Sequence, residues 1–186
     1  MQQSLKSAHS GAVIWLTGLS GAGKSTLSNA LAQTLHSLHY SHYVLDGDRL
    51  REGLNANLGF SPADRTENVR RVGEVAALFA DAGLICIVAV ISPYAADRAT
   101  ARAAAERMGR AFHEVHVATD LATCEARDPK GLYRRARSGQ LQGFTGIDAP
   151  YEIPQAPQLR VQTAAQSVDA SVMRLVDYVK QHCPLL

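Results

Sequence analysis

The chain has 186 residues, 46% of them hydrophobic and 19% charged, with a formal net charge of +2. That length suits one domain able to bury a real core, and the composition excludes a disordered chain. Basic residues are spread rather than blocked and no apolar stretch approaches the length of a bilayer span, so nucleic acid and membrane are not expected as partners.

Residues 1–11 are polar, lack an apolar h-region and read as a frayed tail. Ala12-Val13-Ile14-Trp15-Leu16-Thr17 then reads as a buried parallel strand, and Leu27, Leu31, Ala32 and Leu35 repeat at helical spacing. Between them lies Gly18-Leu19-Ser20-Gly21-Ala22-Gly23-Lys24-Ser25-Thr26, a glycine-rich turn followed by a lysine and two hydroxyls. This is the strand-to-helix context that a P-loop requires. Glycines at 18, 21 and 23 let backbone N–H groups approach phosphate oxygens, and the helix N-terminus adds partial positive charge. Lys24 can reach the β- and γ-phosphates and the Ser25 hydroxyl can ligate Mg²⁺. The bland alternative is a flexible glycine loop with an accidental Lys-Ser-Thr.

Tyr43-Val44-Leu45 reads as a second strand, ending in Asp46-Gly47-Asp48. Ligands of a doubly wound sheet sit beyond the carboxyl ends of its strands, so these carboxylates fall beside the P-loop. Asp48 is the candidate base or water-mediated metal contact, with Asp46 positioning it. The competing reading is an Asp-Gly turn with a helix-capping Asp. A loop from Gly53 to Asp64 carries Phe60, which could stack on a base or pack into the core. A helix is predicted at 66–82, with Thr66 as its N-cap. Arg65, Arg70 and Arg71 at that start oppose the helix dipole, which suggests an anionic ligand for part of the cluster.

Ile85-Cys86-Ile87-Val88-Ala89-Val90-Ile91 is the most apolar strand, followed by Ser92-Pro93-Tyr94. No nucleophile-elbow pattern surrounds Ser92, so a cap and a wall of the site is its plain reading. Helices are predicted at 94–108 and 168–182. Phe112-His113-Glu114-Val115-His116-Val117 and Leu159-Arg160-Val161-Gln162-Thr163 alternate more, as strands nearer an edge do. The basic run from Arg127 to Arg137 and the glycine- and proline-bearing stretch after it have the makings of a lid over about 127–157, or of a charged surface helix and an irregular loop. Cys86, Cys124 and Cys183 are odd in number and widely spaced, which fits structural, reduced thiols in the cytoplasm.

These elements predict one domain, a mostly parallel five-stranded sheet with helices on both faces: the three-layer α/β fold of P-loop NTPases. The P-loop, the Asp46-Gly47-Asp48 turn, the segment from Gly59 to Arg71, Ile91-Ser92-Pro93-Tyr94, Asp128-Pro129-Lys130-Gly131-Leu132-Tyr133 and Phe144-Thr145-Gly146-Ile147-Asp148-Ala149-Pro150-Tyr151-Glu152 together resemble the adenylyl-sulfate kinase family. The resemblance runs from about residue 11 to the C-terminus. It implies phosphorylation of adenosine 5′-phosphosulfate at its ribose 3′-hydroxyl by ATP with Mg²⁺, in sulfate assimilation. By similarity, Arg51, Arg65 and Asn68 would hold the phosphosulfate substrate together with Asp46, and Phe60 and Phe144 would sandwich its adenine. Ile91, Ser92 and Pro93 would line its site, while Lys130 and Arg134 would belong to the lid, with Lys24, Asp48, Ser92 and Lys130 as the catalytic set. Family proteins have been assigned a phosphoserine at the position of Ser92, but direct in-line transfer needs only positioning and charge stabilisation. The family pattern continues the Asp-Gly-Asp turn with Asn-Val-Arg, whereas Arg49-Leu50-Arg51 follows here. A homodimer is the expected assembly. The rival readings are a nucleotide-switch or scaffold module without metabolic chemistry, and another small-molecule kinase acting on a nucleoside monophosphate or a sugar.

Overall fold

In the computed structural model, which describes residues 9–185, five strands form one parallel sheet in the order β2-β3-β1-β4-β5. The strands are β1 (Ala12–Thr17), β2 (His42–Asp46), β3 (Ile85–Ala89), β4 (Ala111–Val117) and β5 (Leu159–Val161). Helices α1 (Lys24–Ser37), α2 (Gly47–Glu52), α3 (Pro62–Asp81), α4 (Ala95–Arg107), α5 (Leu121–Arg127), α6 (Leu132–Arg137) and α7 (Val168–His182) complete the fold. β1 lies at the centre and every one of its residues is buried, as is every residue of β3. Burial on both faces is why these strands read as continuous apolar runs rather than as alternating ones. Leu16 and Ile14 face a core shared with Leu27, Leu31 and Leu35 of α1 and Leu175 and Val179 of α7. Val13 and Trp15 face the opposite core, with Val72 and Ala76 of α3 and Ala101 of α4. Truncating a wholly buried residue such as Leu16 to Ala would cost about 2–5 kcal/mol.

The edges are β2 and β5, the less buried strands, and β4 stands next to the β5 edge as its alternation predicts. Two polar side chains of β4 are paired inside the fold, Glu114 with Arg98 and His113 Nδ1 at 2.9 Å from the Tyr178 hydroxyl, whereas His116 Nδ1 and His113 Nε2 are buried without a hydrogen-bond partner. Two expectations change. The expected tail at residues 1–8 lies outside the described residues, but residues 9–11 are not frayed: buried His9 accepts a 3.0 Å hydrogen bond from the Ser41 N–H and bridges to Leu185. Helix α3 begins at Pro62, not near 66, and its cap is Ser61, whose hydroxyl accepts from the Asp64 N–H. Serine at the cap, proline in the first turn and Asp64 after them make an ordinary helix start, so the three arginines sit beyond the first turn and the dipole conflict disappears.

Candidate active site

The carboxyl ends of the strands open into a cavity of about 870 Å³. One wall is the P-loop. Gly21 and Gly23 have φ of 73° and 102°, in the left-handed region that side chains disfavour, and Gly23 caps α1 without a side-chain hydrogen bond. The first N–H groups of this 14-residue helix are therefore not used by a capping side chain, the arrangement that binds phosphate. The loop is braced from behind, where the hydroxyls of Thr119 and Thr163 donate to the Ala22 carbonyl at 3.1 and 2.8 Å. Arg127 donates to Thr163 at both its hydroxyl and its carbonyl. Lys24 is buried and its ammonium donates to the carbonyls of Gly18 and Leu19 at 2.8 and 2.7 Å. Burial lowers its pKa to about 8.

Beside Lys24, the Ser25 hydroxyl donates to Asp46 at 2.6 Å. The other Asp46 oxygen accepts from the Asp48 N–H at 2.9 Å and caps α2. The capping reading of this turn is therefore borne out, and the bond that starts α2 also fixes the backbone at Asp48. The carboxylate next to Ser25 is Asp46, and Asp48 instead pairs with Lys130. One hydroxyl and two carboxylates are hard oxygen donors that suit Mg²⁺. Among the described residues no cluster of three or more His, Cys, Asp or Glu side chains forms a cage, which fits an ion held mainly by phosphates and water.

Lys130 reaches this point because of the turn before α6. The two Asp128 oxygens each accept at 3.0 Å from the N–H groups of Tyr133 and Arg134, and Gly131 caps the helix at φ 66°. Tyr133 is buried, donates to the Ser20 carbonyl at 3.0 Å and meets the edge of Phe144. The charged stretch is thus a short helix seated against the P-loop. Arg135 lines the cavity with Lys130, whereas Arg134 is not among the lining residues.

The opposite wall brings together Arg51, Phe60, Arg65, Asn68, Ile91, Ser92, Pro93 and Phe144. Arg51 donates to the carbonyls of Leu58 and Gly59 and lies over Phe60, 4.3 Å from the ring centre. Phe60 is 60% exposed at the cavity rim, whereas Phe144 is buried. Arg65 is buried and donates to the Phe60 carbonyl, the Thr145 hydroxyl and the Gly143 carbonyl. Burial lowers its pKa from the usual guanidinium value. The turn it grips is built by Asp148, whose oxygens accept from the N–H groups of Gly143 and Phe144. Asn68 accepts from Asn55. Of the arginine run only Arg65 enters the cavity; Arg70 and Arg71 both pair with Glu67 outside it. Ser92 is 2% exposed with φ 43°, and its hydroxyl accepts from the Trp15 indole N–H and donates to Thr17, both at 3.0 Å. An oxygen so occupied is a structural tie.

Sequence reasoning missed Thr119, Thr163 and Arg127 as P-loop braces. Thr119 and Thr163 each follow a strand, so the carboxyl-end rule points to them.

A family model for adenylylsulphate kinase matches residues 10–162. An adenylyl-sulfate kinase from Bacillus licheniformis is 54% identical over 175 residues, covering 94% of this chain and 88% of its own. The structure of the Mycobacterium tuberculosis APS kinase in complex with AMPPNP and APS superposes with a TM-score of 0.89 at 48% identity, over 91% of this chain and 98% of that one. A hexameric APS kinase from Thiobacillus denitrificans is 33% identical with a TM-score of 0.73, covering 96% of this chain and 30% of its own. Carrying the P-loop, the Asp46-Gly47-Asp48 turn, Lys130 and the Gly143-Phe144-Thr145 turn in one cavity, and similar to these proteins over nearly its whole length, the chain belongs to the adenylyl-sulfate kinase family.

Proposed function

We propose that this chain transfers the γ-phosphoryl group of MgATP to the ribose 3′-hydroxyl of adenosine 5′-phosphosulfate, giving 3′-phosphoadenosine 5′-phosphosulfate and ADP in sulfate assimilation. The observation that carries the reading is one cavity with two unlike walls: a P-loop with Lys24 and Ser25 on one side, and Arg51, Phe60, Arg65 and Phe144 on the other. A kinase for two nucleotides needs both.

Phosphoryl transfer asks the protein for positioning and charge stabilisation rather than for covalent chemistry. The residues Gly18, Leu19, Ser20, Gly21, Ala22, Gly23, Lys24, Ser25 and Thr26 cradle the donor phosphates. Lys24 exchanges the carbonyls of Gly18 and Leu19 for phosphate oxygens, trading two dipoles for full negative charge. Ser25 would hold Mg²⁺, with the carboxylates of Asp46 and Asp48 behind it. Bound there, the ion would neutralise charge on the β- and γ-phosphates. Asp48 orients the acceptor hydroxyl and takes up its proton. Lys130, already on Asp48, brings a positive charge from the lid over 127–157, which closes between anchored ends, Arg127 on Thr163 and Glu152 on Arg98. Arg51, Arg65 and Asn68 hold the phosphosulfate, Phe60 and Phe144 hold the adenine, and Ile91, Ser92 and Pro93 shape the wall. Transfer is direct, because the Ser92 oxygen is buried and committed to Trp15 and Thr17. The chain works in the cytoplasm, where its three buried, unpaired cysteines stay reduced, and as a homodimer of its 20.0 kDa subunit.

A coupled assay of ADP release tests the reading. Adenosine 5′-phosphosulfate should drive turnover while AMP and gluconate do not; no release dependent on the phosphosulfate would end it.

A further inference from the structure

The acceptor wall depends on a residue that does not touch the cavity. Ile91, Ser92 and Pro93 leave the sheet after β3, and each of their three carbonyls is held by a distant group. The Thr17 hydroxyl donates to Ile91 at 2.6 Å, Arg98 Nη1 donates to Ser92 at 2.8 Å, and the Glu152 N–H donates to Pro93 at 2.8 Å. Arg98 is the hub of this arrangement. It lies on α4, is 4% exposed, and also donates through Nη2 to the Glu152 carbonyl at 2.8 Å and through Nε to Glu114 at 2.6 Å. The Glu152 carboxylate closes the ring by accepting from the Ala95 N–H at 2.7 Å.

A guanidinium is the one side chain whose rigid fork can serve three acceptors in different directions at once. Here it joins α4, β4, the acceptor loop and the strap at 151–152. Ser92 sits at a positive φ, a conformation costly for a residue with a side chain, which persists only when its surroundings over-determine it. The bonds at Ser92 and its two neighbours supply that constraint. Glu114 offsets the buried charge, so the cation is a fixture and not a ligand-binding group.

We propose that Arg98 is a positioning residue for the acceptor substrate, holding the Ile91–Pro93 wall in register with the strap at 151–152 so that the phosphosulfate, and not ATP, is the ligand that senses its loss. The inference rests on the function proposed above and deepens it at the acceptor half of that same site.

Arg98→Lys is the first test, because lysine keeps the charge beside Glu114 but cannot span both carbonyls. The KM for adenosine 5′-phosphosulfate should rise about tenfold while the KM for ATP stays within about twofold. The Arg98→Met/Glu114→Gln double variant, which removes the Glu114 carboxylate along with its cation, should raise the acceptor KM at least as much, and circular dichroism verifies that both proteins are folded. An unchanged acceptor KM, or an equal rise in both KM values, overturns the proposal. Wild-type enzyme run in parallel separates the two layers: inactivity of the wild type on the phosphosulfate breaks the functional reading, whereas an active wild type with an unaffected Arg98→Lys breaks this inference alone.

Discussion

The two walls of the cavity are built by opposite means. The donor wall comes from one stretch, residues 18–26, whose shape is set by glycine conformations and a helix start and is braced by threonine hydroxyls on the Ala22 carbonyl. The acceptor wall is gathered from several separate segments, joined by arginine side chains that grip loop carbonyls: Arg51 on Leu58 and Gly59, Arg65 on Phe60 and Gly143, Arg98 on Ser92 and Glu152. A wall made of backbone conformation stands on the few glycines that permit it, such as Gly21 and Gly23 at φ of 73° and 102°, whereas one made of long side chains is adjustable and can be loosened one contact at a time. The proposed function therefore assigns general phosphate binding to the first wall and substrate choice to the second.

The largest effect expected is at the meeting point of the two. Asp48→Asn removes the proposed proton acceptor and the partner of Lys130 while leaving Asp46 to cap α2. It should lower kcat by about a hundredfold or more with ATP affinity nearly unchanged, as turnover and nucleotide titration would reveal. Normal turnover would remove Asp48 from the mechanism. Arg65→Ala comes next. Without it the turn at 143–145 loses its grip on the Phe60 loop, and the acceptor KM should rise by about ten- to a hundredfold with little change for ATP. A matching rise for ATP would erase the distinction between the walls.

A smaller effect follows from Lys24. Burial lowers its pKa in the ligand-free protein to about 8, and phosphate oxygens favour its charged form. ATP affinity should therefore hold below pH 8 and weaken as pH rises above it, with proton uptake on binding at pH 9. Titration calorimetry in buffers of different ionisation enthalpy measures that uptake. For folding the sign is the reverse: the unfolded chain binds more protons between about 8 and 10.5, so the cost of burying this ammonium is full below pH 8 and shrinks across that window. The smallest functional effect is expected of Ser92→Ala. It should keep turnover within a few-fold while losing roughly 1–3 kcal/mol of stability, because the Trp15 indole N–H loses its acceptor. Complete loss of activity, together with labelled phosphoserine in the wild type, would reverse the direct-transfer mechanism.

The contrast between the walls also explains what could be read from the sequence. A backbone-built cradle leaves a contiguous signature, so residues 18–26 and the strands around them are legible, and Asp46 and Asp48 follow from their place after a strand. Arg98 is not legible, since its acceptors lie 6, 16 and 54 residues away and an alanine-rich helix gives no hint which arginine turns inward. Helix α5, of seven residues, is too short for periodicity to reveal, whereas α2 and α6, of six residues each, are legible only through the capping Asp46 and the basic run that ends at Arg137. The start of α3 was written in Ser61, Pro62 and Asp64, but the arginine run that follows drew the boundary too late.

One measurement bears most directly on the division of labour between the walls: a crystal structure of the wild-type chain with ADP and adenosine 5′-phosphosulfate bound together. The ADP phosphates should lie on the N–H groups at the start of α1, with the adenine of the acceptor nucleotide between Phe60 and Phe144 and its ribose 3′-hydroxyl within hydrogen-bonding reach of Asp48. A phosphosulfate seated away from Phe60, Arg65 and Asp48, or one displacing ADP from the P-loop, would contradict the two-wall site.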